Sequence, residues 1–339
     1  MVKGIERVEG ERLGEFEIIA RYFAPLATDK AALGLRDDAA VLVISEGYEL
    51  IATCDTLIEG VHFLSDDPPD SIGYKALSVN LSDLAAKGAR GHAYLLSLAL
   101  PRETPHAWFE GFSSGLRELQ EATGITLVGG DTTASPGPLT ITITALGLVA
   151  HGHAVLRHGA KTGDRLYVSG TIGDACLGLR LLKDPALASA WDLLEEDMAF
   201  LIDRYRRPKP RTELVIPIRN FAQGAIDVSD GLVGDVEKLA RVSHVGAVVE
   251  AARVPFSSAA RKALRREPQL LETLLTAGDD YELVAAVPEA SAPTFEAEAQ
   301  AKGASVTMIG RIAGPSGDVR VLRPDGEPLA LGRKGFTHF

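Results

Sequence analysis

Aspartates stand where apolar runs of this chain begin or end: Asp37 and Asp38 in "RDDAAVLV", Asp55 in "ATCDT", Asp131 in "VGGDTT", Asp227 and Asp230 in "AIDVSDGL", Asp279 and Asp280 in "GDDYELV". Asp83 is placed differently, four residues after Val79 and seven after Ala76 in "YKALSVNLSDLAAKGA". That spacing sets it on an apolar helical stripe, where a carboxylate is costly unless a charge meets it. Any one of these acids, taken alone, reads as a turn or cap residue. Together they pose a conflict, because carboxylates within a few ångströms raise one another's pKa. Bound divalent cations remove it, and hard oxygen ligands favour magnesium or calcium. Two cysteines and scattered histidines give no zinc pattern. Neighbouring residues of an extended strand point to opposite faces, so Asp38 is expected to serve a metal and Asp37 the turn.

Phosphate chemistry has several candidate seats. No GxxxxGK[ST] loop occurs, and the glycines of "SGTIGDACLG" miss GxGxxG spacing. In "LVGGDTTASPGPLTITIT" a strand-like run ends in glycines, which would let a phosphate approach the backbone beside a metal-binding acid; a plain turn is the competing reading. "LRHGAKTGD" supplies Arg157 and Lys161. A guanidinium suits bidentate phosphate binding, although a solvated loop residue has the same sequence signature. "DVSDGL" closes a strand and opens a helix, so its amides and dipole would face an anion while Asp230 holds a cation.

The elements that must position these groups alternate between helix and strand, an α/β (α+β) pattern. "GEFEIIARYFAP", "PDSIGYKALSVNLSDLAAKGA" and "ETPHAWFEGFSSGLRELQEATG" read as helices, the last with Thr104 as N-cap, Pro105 at its first position and Gly124 past its end. "AAVLVI", "YELIATC", "AYLLSLAL", "ITLV" and "LTITITALGLV" read as strands, and the alternation of the last implies one covered face. Around residues 150–160 the texture turns polar and glycine-rich, which divides the chain into domains at 1–150 and 151–339. The second domain opens with strand "RLYVSG" and a helix-like "DACLGLRLL"; after a charged connection containing "RRPKPR" it alternates "GAIDV", "GAVVEA", "YELVAAV" and "SVTMIG" with helices.

Composition narrows the class. A length of 339 residues fits about two domains. A net charge of −11 excludes a general nucleic-acid backbone binder, so phosphate handling would need metals or a few placed basic groups. Cys54 and Cys176 form no CxxC pair, the N-terminal stretch lacks a signal-peptide core, and no apolar run reaches spanning length. A cytoplasmic protein is expected.

"GEFEIIARYFAP", "DDAAVL", "DTLIEGVHF", "YKALSVNLSDLAAKGA", "LVGGDTT", "LRHGAKTGD", "VSGTIGD", "DVSDGL", "GDDYEL" and the terminal "GFTHF" resemble, in order and spacing from residue 14 onward, the thiamine-monophosphate kinase family. Several of these motifs are similar to those of the wider aminoimidazole ribonucleotide synthetase superfamily; "EGVHF" and "GDDYEL" point to the kinase. The resemblance implies a two-domain fold of mixed sheets flanked by helices, and a homodimer paired through the N-terminal sheets. It implies ATP-dependent conversion of thiamine monophosphate to thiamine diphosphate by direct in-line transfer, with several magnesium ions and no covalent nucleophile. Matched by motif, Asp38, Thr53, Cys54, Asp55, Asp83, Asp131, Asp227 and Asp230 are expected at magnesium. Gly130, Asp131, Arg157 and Ser229 are expected at ATP, and His62, Asp279 and Phe336 at the thiamine substrate. Arg36 and Ala277 replace family glycines and Cys54 a threonine. An ATP-dependent cyclase of purine synthesis and a non-catalytic nucleotide-binding protein are the alternatives.

Overall fold

A computed structural model describes residues 14–37, 39–314, 318–323, 325–332 and 335–336, so Asp38 lies outside the described residues. The first half carries helix α1 (Glu15–Ile18), strand β1 (Tyr48–Ile58), helix α2 (Pro69–Ala86), β2 (Arg90–Leu100), α3 (His106–Thr123), β3 (Thr126–Ala134) and β4 (Thr140–Ala150). The strands form a sheet of order β1-β4-β2-β3, antiparallel except for β2 against β3. In β4 buried and half-buried residues alternate along the whole strand, so one face is covered, as the sequence pattern implies. Ile141, Ile143 and Ala145 turn toward α2 and α3 in the first core.

The second half contributes β5 (Arg165–Ser169), α4 (Asp174–Lys183), α5 (Leu187–Ala190), α6 (Glu195–Arg206), α7 (Val215–Phe221), β6 (Gly224–Asp227), α8 (Leu232–Val242) and β7 (Gly246–Glu250). It ends with α9 (Ser258–Arg266), α10 (Leu270–Thr276), β8 (Leu283–Val287), α11 (Ala292–Ala301), β9 (Val306–Ala313) and β10 (Val319–Leu322). Their sheet has the order β10-β7-β9-β5-β8-β6. Leu166 and Val168 face α8, whereas Tyr167 faces α7 and α11, so both faces are covered. Near-continuous apolar strands such as "LVAAV" are the sequence mark of that arrangement. Ala85 and Ala86 of α2 pack into the second-half core with Ala225 and Leu283, which makes α2 the helix shared by both halves.

Several local expectations change. "AAVLVI" is not a strand: Ala40 and Leu42 pack beside Ala93 and Val128, but Val41 and Val43 stay exposed with no partner strand among the described residues. Pro105, not Thr104, holds the N-cap position of α3; the Thr104 hydroxyl donates to Pro101 O at 2.7 Å, while Gly124 ends the helix with φ +75° as expected. The run before "GGDTT" does not stop at the glycines, because β3 continues to Ala134. Gly130 is required there by close approach, since a Cβ would lie 1.8 Å from Leu96 O.

Candidate active site

The pleat of edge strand β1 turns Thr53 and Asp55 toward α2, while Cys54 and Thr56 are exposed on the other face. Thr53 Oγ1 donates to Asp83 Oδ2. Asp227, the last residue of β6, accepts from Ser82 Oγ at 3.0 Å. Burial, with Asp83 beside it, raises the Asp55 carboxyl from 3.8 to about 6. Burial also lifts Asp227 well above the carboxylate range, and Asp83, Asp235 and Asp55 add to the rise. Thr53, Asp55, Asp83 and Asp227 therefore form one oxygen-rich cluster, whose carboxylates repel one another. Among the described residues no three acid, histidine or cysteine groups are already drawn together as a ligand set. Such a cluster suits ions that keep waters and take phosphate oxygens, as magnesium does beside nucleotides.

Next to this cluster opens a cleft of about 840 Å3, and Asp55, His62, Ser229, Asp230, Asp279 and Phe336 all line it. His62 is fixed by the turn after β1. Its amide donates to Ile58 O at 2.9 Å, and the Ile58 amide donates to His62 Nδ1 at 3.0 Å. With Nδ1 accepting, a neutral ring carries its proton on Nε2. Asp279 and Tyr281 adopt left-handed φ values of +73° and +50°. For side chains with a Cβ this costs about 1–2 kcal/mol each, and strain of this kind collects at functional sites. The turn is pinned where Asp279 and Tyr281 amides donate to Ser229 O at 2.9 Å and Val228 O at 2.8 Å. The Phe336 amide donates to Asp230 O at 2.8 Å and the Gly332 amide to Glu272 Oε1 at 2.6 Å, which straps the tail along the cleft.

Not every expected contact forms as anticipated. The Asp230 carboxylate takes the Lys238 ammonium, and the Asp230 and Gly231 amides donate to Asp235 Oδ2 at 3.0 and 3.1 Å. Those two amides at the entrance of α8 are thus satisfied within the chain. Arg157 is exposed, and its positive charge acts on the neighbouring Lys87 ammonium. Gly130 and Asp131 line a different, smaller cavity of about 230 Å3 under the N-terminal segment. The register places Thr56, Thr142, Ser97 and Asp131 in one row across the sheet. Asp131 consequently stands about 14 Å from β1, three strand spacings away, on the face opposite Asp55.

Sequence reading passed over two lysines. Lys75, Val79, Asp83 and Lys87 fall on one i, i+4 ridge running along α2 to its end. At ~1.5 Å per residue the ridge spans about 18 Å. At one end Lys75 Nζ reaches His62 O at 2.9 Å and Asp279 Oδ2 at 3.2 Å. At the other, Lys87 Nζ donates to Ala225 O at 2.9 Å. Burial and Arg157 lower the Lys87 ammonium to about 8, against the pull of Asp227 and Asp83. The spacing argument that singles out Asp83 applies to both lysines. "RRPKPR" was likewise more than a connection: Arg206 binds Asp67 at 2.6 Å and Arg211 binds buried Glu282, fastening α2's surroundings to the second half.

Residues 36–149 match the AIR synthase related protein N-terminal domain, and residues 161–322 its C-terminal domain. The Escherichia coli K12 thiamine-monophosphate kinase is 41% identical over 329 residues, covering 96% of this chain and 98% of that protein. The chain belongs to the thiamine-monophosphate kinase family. The crystal structure of thiamine-monophosphate kinase from Stenotrophomonas maltophilia K279a superposes with a TM-score of 0.82 at 42% identity, covering 94% of this chain and 98% of that one. AaThiL complexed with AMPPCP and TMP gives a TM-score of 0.75 at 32% identity, covering 88% and 89%.

Within the family, the departures of this chain prove mild in backbone terms. Arg36 has φ −116°, so no left-handed penalty arises there; the positive angles fall on Leu33, Gly34 and Leu35 instead. Ala277 is extended at φ −81°, ψ 146° and needs no glycine. The Cys54 thiol accepts from Thr144 Oγ1 at 3.4 Å on the outer face, so only its backbone could serve the cluster.

Proposed function

We propose that the cleft seats thiamine monophosphate beside a magnesium-held ATP, and that phosphoryl passes in line from ATP to the acceptor phosphate, giving thiamine diphosphate and ADP. The observation that carries this reading is the convergence of Asp55, His62, Ser229, Asp230, Asp279 and Phe336 on one cleft from separate segments. A family relative, AaThiL, has been seen with AMPPCP and TMP together.

The donor set fits magnesium: Asp55, Asp83 and Asp227 supply carboxylates and Thr53 a hydroxyl, all hard oxygens, with the Asp55 and Asp227 charges disfavoured by burial and by their acidic neighbours. Bound there, the ions would neutralise phosphate charge and align donor with acceptor. The chain's own groups do the rest. Lys87 and Arg157 offer positive charge at the nucleotide end of the α2 ridge. His62 lines the acceptor end of the cleft with its Nδ1 held by the Ile58 amide, Asp279 offers an acceptor oxygen there, and Phe336 brings an aromatic ring suited to a flat cation. No nucleophilic side chain is required, because positioning and charge neutralisation dominate phosphoryl transfer.

Homodimerisation belongs to the same proposal. The outer face of the first sheet exposes Leu50 and Leu95 beside Cys54 and Thr56, and a second copy is the occupant we assign to it. Asp131 stands on that face, so its part in ATP binding falls at the interface between copies. No described helix is long and apolar enough to cross a membrane. Free cysteines suit the cytoplasmic location we assign.

ADP release and thiamine diphosphate formation, measured with ATP alone, with added thiamine and with added thiamine monophosphate, test the reading. Turnover is expected only with the monophosphate and magnesium. Equal ADP release in all three mixtures would exclude it.

A further inference from the structure

Lys75 is an ammonium only 2% exposed, beside a cleft walled by acids. It donates to His62 O at 2.9 Å and to Asp279 Oδ2 at 3.2 Å, and it sits 4.1 Å from the centre of the Tyr205 ring. Three anchors from three segments hold it, so its head group has one position. Asp279 is itself held in a left-handed backbone by the Ser229 carbonyl. Among the described residues, Asp279 Oδ1 takes no hydrogen bond.

We propose that Lys75 is a positioning residue that divides the two oxygens of Asp279. It holds Oδ2, fixes the His62 turn through its carbonyl, and leaves Oδ1 to accept from a neutral N–H group of the substrate. A carboxylate already neutralised by a buried ammonium is a poor counter-ion for a second cation, yet it keeps lone pairs for a donor. Thiamine carries both kinds of group, an amino substituent on its pyrimidine and a positive thiazolium ring. Phe336, 52% exposed at the same cleft, offers the ring face that suits the cation. The amino group is then the partner of Asp279. The inference rests on reading this cleft as the thiamine monophosphate site.

Steady-state ADP release tests it, with wild type, Lys75→Met, Asp279→Asn and the double variant, after circular dichroism has checked each fold. Wild type must first turn over with thiamine monophosphate; failure at that step overturns the functional reading itself. Given turnover, Lys75→Met is expected to raise the KM for thiamine monophosphate about tenfold or more, the scale of one lost charged hydrogen bond. The KM for ATP should stay within about twofold, since the change is local to the acceptor end. The double variant should be no worse than Lys75→Met, because both act through one carboxylate. Wild type should also discriminate strongly against an analogue whose pyrimidine amino group is replaced by oxygen, and both single variants should lose that discrimination. Equal shifts in both Michaelis constants, additivity in the double variant, or unchanged discrimination would each overturn the proposal. Should Lys75→Met not fold, Lys75→Arg decides. It keeps the charge on a longer planar head and is expected to raise the KM for thiamine monophosphate severalfold. An arginine variant indistinguishable from wild type overturns the assignment.

Discussion

Replacing Asp55 by asparagine removes a charge that the folded chain resists holding. Burial and the neighbouring Asp83 raise its carboxyl from 3.8 to about 6. The native state therefore binds this proton more tightly than the unfolded chain does. By linkage, metal-free stability falls as pH rises through that window and the full penalty is present above about pH 6. At 1.36 kcal/mol per unit the penalty is about 3 kcal/mol, an upper figure because the site is partly open to water. Below pH 4 the aspartate is protonated in both states and the difference vanishes.

Urea unfolding of wild type and Asp55→Asn, in chelator from pH 4 to 8, measures this directly. The variant should be the more stable protein at pH 8 by about 1–3 kcal/mol, with the advantage closing toward pH 4. Magnesium should reverse the order, because an ion that binds the native cluster stabilises wild type by mass action and the variant less. Turnover should fall by orders of magnitude in the same variant. A stability difference that is absent, or constant across the pH range, would refute the argument that burial and the Asp83 charge disfavour an ionised Asp55.

Arg157→Lys keeps the charge but loses the planar fork, so the KM for ATP should rise clearly in initial-rate assays while that for thiamine monophosphate does not. Phe336→Ala should do the converse, and a shared effect on both substrates would remove the tail from the acceptor site. Gly130→Ala drives a Cβ to 1.8 Å from Leu96 O, backbone that cannot yield. Thermal unfolding should then register a loss of about 3 kcal/mol or more.

Local elements were legible where one physical signal dominated. β4 announced its covered face by alternation, and α3 its end by Gly124. The failures share a cause. "AAVLVI" has the apolar, β-branched composition of a strand, but a strand also needs a partner edge, which composition does not encode. "GGDTT" looked like a stop because glycine is read first as a turn residue, whereas Gly130 is there so that β3 can press against β2. Lys75 and Lys87 were missed although they share the Asp83 ridge, because a lysine on a helix is ordinarily taken for a solvated face.

The motifs single out a set of residues but do not say where each one stands. His62, Asp279 and Phe336 gather on one cleft, and Thr53, Asp55 and Asp83 on one cluster, as the motifs lead one to expect. Asp131 does not join them, and the reason lies in register. Side chains alternate across a sheet, so a shift of one residue moves a group to the other face. The bulge between Tyr94 and Leu95 sets β3 against β2 so that Asp131 pairs with Ser97, not with Leu98. Ser97 pairs in turn with Thr142 and Thr142 with Thr56, all on the uncovered face. No rotamer of Asp131 crosses the sheet to reach Asp55. If Asp131 holds a nucleotide-bound ion, it does so for a site on the outer face, where this chain's N-terminal segment supplies one wall and the proposed second copy would supply another. Asp131→Asn and Asp55→Asn proteins, each inactive alone, should then regain measurable activity when mixed and allowed to exchange subunits. If they exchange and stay inactive, Asp131 and Asp55 serve one chain's site or separate functions.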